Sequence, residues 1–186
     1  GNTKLRFTVS KLSSSSSFYN DIAIDDIEMI VQNTYQVGTG TGTNAYFPLY
    51  TYYGYTYSEQ IYLASELTAQ GATAGTISKI RFYYASAGTT TLSDDSWVVF
   101  LGNTSQSSFS STSNYVTSNN MTSVYSGSVT FPSTGGNWME ISLTTPFFWD
   151  GVSNLIVGVD QNEPGYDYPY AYFGHTSTST LRSIQY

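Results

Sequence analysis

The chain has 186 residues, a formal charge of −7 and no cysteine, and 17% of it is aromatic while only 10% is charged. Six lysines and arginines are too few to cover a phosphate backbone, which excludes nucleic acid as a partner; the missing thiols exclude disulfides, thiolate metal sites and cysteine nucleophiles. No apolar run approaches the roughly 18 residues of a membrane span, so no membrane insertion is expected.

Ser, Thr, Tyr, Gly and Asn occupy the surface where an ordinary domain carries roughly 25% charge, which is the composition of an extracellular β-protein. The expected location is therefore outside the cell or on its surface, and any charged partner is expected to be a cation. The first residue is Gly1 and the last, Tyr186, falls in strand-like sequence, so the chain reads as a processed or excised piece of a larger protein.

In chain order, residues 4–10 (KLRFTVS) alternate cleanly, with Leu5, Phe7 and Val9 on one face and Lys4, Arg6 and Thr8 on the other. That is a half-buried strand. The serine tract at 13–17 has nothing to bury and reads as a solvated turn. In the next strand Ile22 and Ile24 share one parity and Ile27, Met29 and Val31 the other, so the inward face switches across Asp25 and Asp26 as at a β-bulge. The segment DIAIDDIEMI, with KLRFTVS before it, resembles the closing hairpin of a MAM-type or cleaved-adhesin jelly roll, whose last strand carries an Ile-Asp-Asp-Ile pattern. The resemblance covers residues 1–33. A lone hairpin is marginal in water, so these strands are expected to pack on the second module or on a neighbouring copy, as a homo-oligomer or filament.

Residues 34–44 (TYQVGTGTGTN) read as a Gly/Thr linker, with neither the third glycine nor the βαβ setting of a dinucleotide fingerprint. The stretch 46–67 (YFPLYTYYGYTYSEQIYLASEL) then places eight aromatic rings in its first seventeen residues. Bulk falls on both parities, and the stretch reads as a strand against which others pack. Further β-like runs follow at 60–65, 76–84, 96–101, 124–131, 138–143, 155–160, 170–174 and 181–186, separated by turn residues, and a single helical turn is expected at 106–111. This succession predicts an all-β fold for residues 45–186, an antiparallel β-sandwich that is jelly-roll-like. Its predicted core includes Trp97, Phe100, Ile141, Leu143, Leu155, Val157 and Val159.

The ordered motifs YTYYGYTYSEQIYLASEL, GTISKIRFYYAS, WVVFLGNTSQSSF and GNWMEISLTTPFFWDGVSNLIVGVDQNEPGY resemble a Tyr-rich β-sandwich module of bacterial surface proteins exported by type IX secretion. The resemblance spans nearly all of residues 45–186. It implies secretion, a multidomain parent and a role in adhesion or substrate targeting, and it carries no catalytic residue with it.

Chemistry-bearing residues are few. His175 is the one histidine, which rules out a His-rich zinc site or an HExxH helix in a single chain, and no GxSxG elbow accompanies the many serines. The carboxylate pairs near aromatic rings are Glu59 with Glu66 and Asp160 with Glu163, and glycoside hydrolysis needs such a pair at a defined separation. Calcium takes oxygen ligands on loops, and two places supply them: Asp160, Asn162, Glu163 and Asp167 in DQNEPGYD, and Asp25 with Asp26. Asp94 and Asp95 are read as turn residues.

In GYDYPYAYF the residues Tyr166, Tyr168, Tyr170 and Tyr172 recur with period two. Exposed, they form a ladder of rings that stacks on sugar or peptide, with Tyr53, Tyr55 and Tyr57 as further ligand-binding candidates; turned toward the Tyr46–Tyr57 strand, they form a tyrosine-lined core layer. The expected function is non-enzymatic adhesion, binding a glycan or protein surface through these tyrosines. The alternatives are a structural subunit of a filament assembled by strand exchange, and an accessory domain of a secreted hydrolase.

Overall fold

The computed structural model describes residues 33–39, 42–86, 96–116 and 120–186. The predicted hairpin, with Asp25 and Asp26, and the Asp94-Asp95 turn lie outside the described residues. Among those described, nine strands and one helix follow in the order β1 (Gly42–Asn44), β2 (Tyr57–Tyr62), α1 (Ala64–Ala69), β3 (Gly75–Ser86), β4 (Ser96–Thr104), β5 (Thr122–Ser128), β6 (Asn137–Trp149), β7 (Asn154–Gln161), β8 (Tyr172–His175) and β9 (Ser183–Gln185).

One sheet has the order β1-β8-β3-β6 and the other β5-β4-β7-β2-β9. Every pairing is antiparallel. The pairs β1–β8, β2–β7, β3–β6 and β4–β5 are those of one long hairpin, folded so that successive pairs fall alternately in the two sheets. That arrangement is a jelly roll, with β9 added at the edge beside β2. The antiparallel, jelly-roll-like sandwich predicted from the strand succession is therefore the fold of the described residues between 42 and 186.

Period-two alternation fixes the core. Trp97, Val99 and Leu101 of β4 and Leu155, Val157 and Val159 of β7 meet Met139, Ile141, Phe147 and Trp149 of β6 and Phe173 of β8 in one buried cluster. Leu143 packs half-buried against it. Phe100 has the opposite parity from Trp97 and Val99, so it lies half-buried on the outer face and not in the predicted core position. A second apolar cluster covers that outer face: Ile61, Phe109, Ile156 and Ile184, with Leu63, Tyr115, Val116 and Met121 against them.

Three local readings of the sequence give way to tertiary structure. Residues 46–53 form an irregular connection, because rings on both parities cannot all be buried by one strand and Pro48 cannot donate to a ladder. Residues 106–111 are not helical; Phe109 enters the second cluster and its N–H donates to the carbonyl of Leu181 at 2.7 Å. The end of the Gly/Thr stretch becomes β1, registered on β8 with Gly42 opposite His175. A Cβ at Gly42 would lie 2.4 Å from the imidazole Cε1, so glycine makes room for the ring.

Helix α1 replaces the strand ending expected at 60–65. The N–H of Leu63 is accepted by Glu66 Oε2 at 3.0 Å and that of Ala64 by Asn154 Oδ1 at 2.8 Å, which satisfies donors at the helix start. At the other end Gly71 has φ +88°, its N–H donates to Thr68, and the N–H of Ala72 donates to Leu67, forming a Schellman stop.

Candidate ligand platform

The connections β1–β2 and β7–β8 leave the same end of the sandwich and are bound to each other. Tyr53 bridges Tyr166, the N–H of Gly54 donates to Gly165 at 2.9 Å, and that of Asp167 donates to Tyr52 at 3.0 Å. Gly54 permits this approach, since a Cβ there would lie 2.1 Å from the carbonyl oxygen of Glu163. Both segments contain a cis X–Pro peptide, Phe47–Pro48 and Tyr168–Pro169.

Buried anchors alternate with outward rings along both segments. Leu49 and Thr51 are buried while Tyr50 and Tyr52 face out, and Ala171 and Phe173 are buried while Tyr170 and Tyr172 face out. The period of two therefore persists outside regular strands, since only Tyr172 of the predicted ladder lies in β8. Polar anchors complete the attachment. Thr51 Oγ1 accepts the N–H of Ala171 at 2.9 Å, and the carbonyl of Pro48 accepts from Ser58 Oγ and from Gln60 Nε2. Thr56 Oγ1 is bonded to Gln161 Oε1 at 3.3 Å, beneath the loops.

On this base Tyr46, Tyr50, Tyr52, Tyr53, Tyr166, Tyr168, Tyr170 and Tyr172 form one connected array of rings. Tyr50 lies between Tyr46 (4.9 Å), Tyr53 (5.7 Å) and Tyr170 (5.5 Å), and Tyr52 joins Tyr53 (4.7 Å) to Tyr166 (5.8 Å). Tyr170 continues the array to Tyr168 at 6.5 Å and Tyr172 at 5.3 Å. These separations suit edge-on and offset aromatic pairs. The rim is open to solvent: Tyr53 is 57% exposed, Tyr166 72% and Tyr168 76%.

The array is both a stack and a set of hydroxyls. Burial, and then the Tyr170, Tyr46, Tyr53 and Tyr52 rings around it, push the Tyr50 phenol above its ordinary range. The Tyr172 hydroxyl, hydrogen-bonded with that of Tyr170 at 3.2 Å, does the same for Tyr170. Both therefore stay protonated and neutral at physiological pH, able to donate and accept.

Of the tyrosines singled out in the sequence, Tyr53, Tyr166, Tyr168, Tyr170 and Tyr172 come together here. Tyr55 is exposed beside them with φ 57°, a left-handed backbone uncommon outside glycine. Tyr57 sits elsewhere, on the outer face of the second sheet, where its hydroxyl donates to Glu59 at 2.7 Å. Tyr46, Tyr50 and Tyr52 belong to the array, although bulk on both parities of their stretch predicts a packing role for them. The signal for them was the alternation of Leu49 and Thr51 with tyrosine.

The oxygen-rich turn behaves differently from the tyrosines. Asp160, one residue before the end of β7, stands opposite Tyr57, and burial raises its carboxyl while a bond from Asn162 opposes the rise. The N–H of Asn162 donates to Ser96, Asp167 pairs with Tyr52 through its backbone, and Glu163 lies against Gly54. Among the described residues no three His, Asp or Glu side chains gather as a metal site. The carboxylate pair Glu59 and Glu66 is also divided: Glu66 holds Arg182 at 2.6 and 2.8 Å, while Glu59 is buried against Tyr57 and the N–H of Val116.

No protein-family model, curated protein or solved structure matches this chain. No helix among the described residues is long and apolar enough to cross a membrane.

Proposed function

We propose that the chain is a non-enzymatic binding module, acting outside the cell or at its surface, which holds a glycan or protein surface on the tyrosine array. The observation that carries this reading is the union of exposure and anchorage: rings that stay open to water are fixed from below by buried Leu49, Thr51, Ala171 and Phe173. Ordinary surface loops do not keep large apolar rings together in solvent, and tyrosine supplies rigid contact area at low entropic cost. The likeness of residues 45–186 to the Tyr-rich modules of secreted surface proteins supports the same reading.

The test applies labelled protein to a glycan array and to a panel of immobilised proteins. Binding on either surface is expected to fall at least tenfold in Tyr166→Ala and Tyr53→Ala, because aromatic anchors at interfaces commonly contribute about 2 kcal/mol or more. Their melting temperatures should stay near that of the parent. Binding to neither surface, or binding indifferent to both variants, would sink the proposal.

A further inference from the structure

We infer that the ligand is a neutral polysaccharide chain, which runs from the tyrosine array onto the outer face of the first sheet and meets a second contact at Tyr83 and Trp138. This rests on the binding role proposed for the array and names its ligand class.

The two outer faces of the sandwich differ. That of the second sheet is covered by Phe109, Tyr115 and Val116. On the first sheet Phe82, Tyr84, Met139, Ile141 and Phe173 turn inward, which leaves Tyr83, Trp138 and Gly174 outward. Tyr83 and Trp138 are register partners, with centroids 5.4 Å apart at 68°, and Trp138 stays 42% exposed. A tryptophan turned out on a face that no described residue covers is the less expected arrangement, since tryptophan is highly buried on average.

Gly174 connects this pair to the array. A Cβ there would lie 2.8 Å from Tyr83 Cδ1, so the Tyr83 ring rests directly on the strand backbone. Tyr172 shares that face of β8 two residues earlier, about 7 Å away along the strand, and its ring continues to Tyr170 at 5.3 Å. The aromatic surface thus runs from the loop end onto the sheet with one strand step between its parts. A compact ligand fills one of these places; a chain of rings fills both.

Charge selects a neutral chain. Among the described residues, the register partners along the path from Tyr172 (Ser86) through Gly174 (Thr43) to the Tyr83–Trp138 pair carry no acidic or basic side chain. The nearest charges among the described residues of that face, Lys79, Arg81 and Glu140, are paired with one another, Glu140 accepting from Lys79 at 2.6 Å and from Arg81 at 2.7 Å. Aromatic faces with phenolic hydroxyls suit pyranose rings, which offer an apolar face and a rim of hydroxyls.

The test is calorimetric titration of the full chain with oligosaccharides of increasing length, from disaccharide upward, prepared from β-linked glucan, xylan and mannan, with a polyuronate series beside them. Affinity for at least one neutral series should rise with length and then level off. Trp138→Ala and Tyr83→Ala should weaken the long oligomers about three- to tenfold, the scale of one aromatic contact, and leave the disaccharide unchanged. Trp138→Phe should restore most of the loss, which separates ring contact from misfolding. Tyr166→Ala should weaken every length.

Equal affinity of Trp138→Ala and parent for long oligomers, with Tyr166→Ala still impaired, overturns the extended path and leaves the binding module standing. Preference for the polyuronate, or affinity that falls steeply with added salt, overturns the neutral ligand. Binding of no oligosaccharide overturns the inference, while the immobilised-protein panel still decides the module reading.

Discussion

Glu59 puts a carboxyl on the outer face of the second sheet where it is fully buried, held by the hydroxyl of Tyr57 at 2.7 Å and the N–H of Val116 at 2.8 Å. Tyr115 packs its ring 5.7 Å from Tyr57, and Asp160 stands opposite Tyr57 on β7. Burial raises the Glu59 carboxyl above the ordinary glutamate range, and the two hydrogen bonds only partly offset it. When the folded group is the weaker acid, the unfolded chain releases its proton first as pH rises. The stability contributed by protonated Glu59 is therefore complete below the ordinary glutamate pKa and lost as pH rises through the raised folded value. Asp160, raised by burial, acts in the same direction; Glu66, lowered chiefly by its bond to Arg182, acts in the opposite one. Glu59→Gln should therefore flatten the decline in melting temperature between about pH 4 and pH 7. Calorimetric melting across that range checks it, and an unchanged decline in the variant refutes it. The sequence offered Glu59 as half of a carboxylate pair with Glu66. Its true partners are Tyr57, two residues back on the same strand, and the N–H of Val116, and no local pattern joins the second to it.

Strands and helix were unequally legible for a reason of length. β4 and β7 run to nine and eight residues, long enough to read as strands, and Trp97, Leu155, Val157 and Val159 are core residues as their positions in those runs predict. Helix α1 has six residues, too few for a 3.6-residue period to appear. Only its terminal chemistry marked it, Glu66 at the start and Gly71 at the stop. The helix is also fixed from outside. Arg182, just before β9, grips Glu66 through two nitrogens at 2.6 and 2.8 Å, and its backbone carbonyl accepts the N–H of Ile61 at 2.8 Å. One residue thus joins helix, edge strand and β2. Paired bonds to a charged group in a partly buried setting are worth about 1–2 kcal/mol. Arg182→Ala should accordingly lower the melting temperature by roughly 2–8 °C for a chain of this size. Arg182→Lys should recover only part of that, because an ammonium cannot make the planar paired contact. Full recovery by lysine would show that charge alone matters there.

For the molecule as a whole, the jelly roll makes one platform from segments far apart in sequence. Pairing β1 with β8 and β2 with β7 brings residues 46–53 to residues 166–172 at one end, so the array is a consequence of topology. The sequence showed two aromatic clusters and a succession of strands; it could not show which strands pair, because that information is non-local. The same topology roots the platform in the main core, since Leu49, Ala171 and Phe173 belong to the buried cluster that contains Trp97 and Trp149. Surface loops ordinarily open at little free-energy cost. Loops rooted in the core should instead open with it, which keeps the rings in place before a ligand arrives and spares the cost of ordering them. Amide hydrogen exchange measures this directly. The N–H groups of Gly54, Asp167 and Ala171, which tie the loops together, should exchange within about tenfold of the core amides of β4 and β7, a difference of about 1.4 kcal/mol or less. Exchange of those three amides thousands of times faster than the core would mean that the array forms only on contact with its ligand.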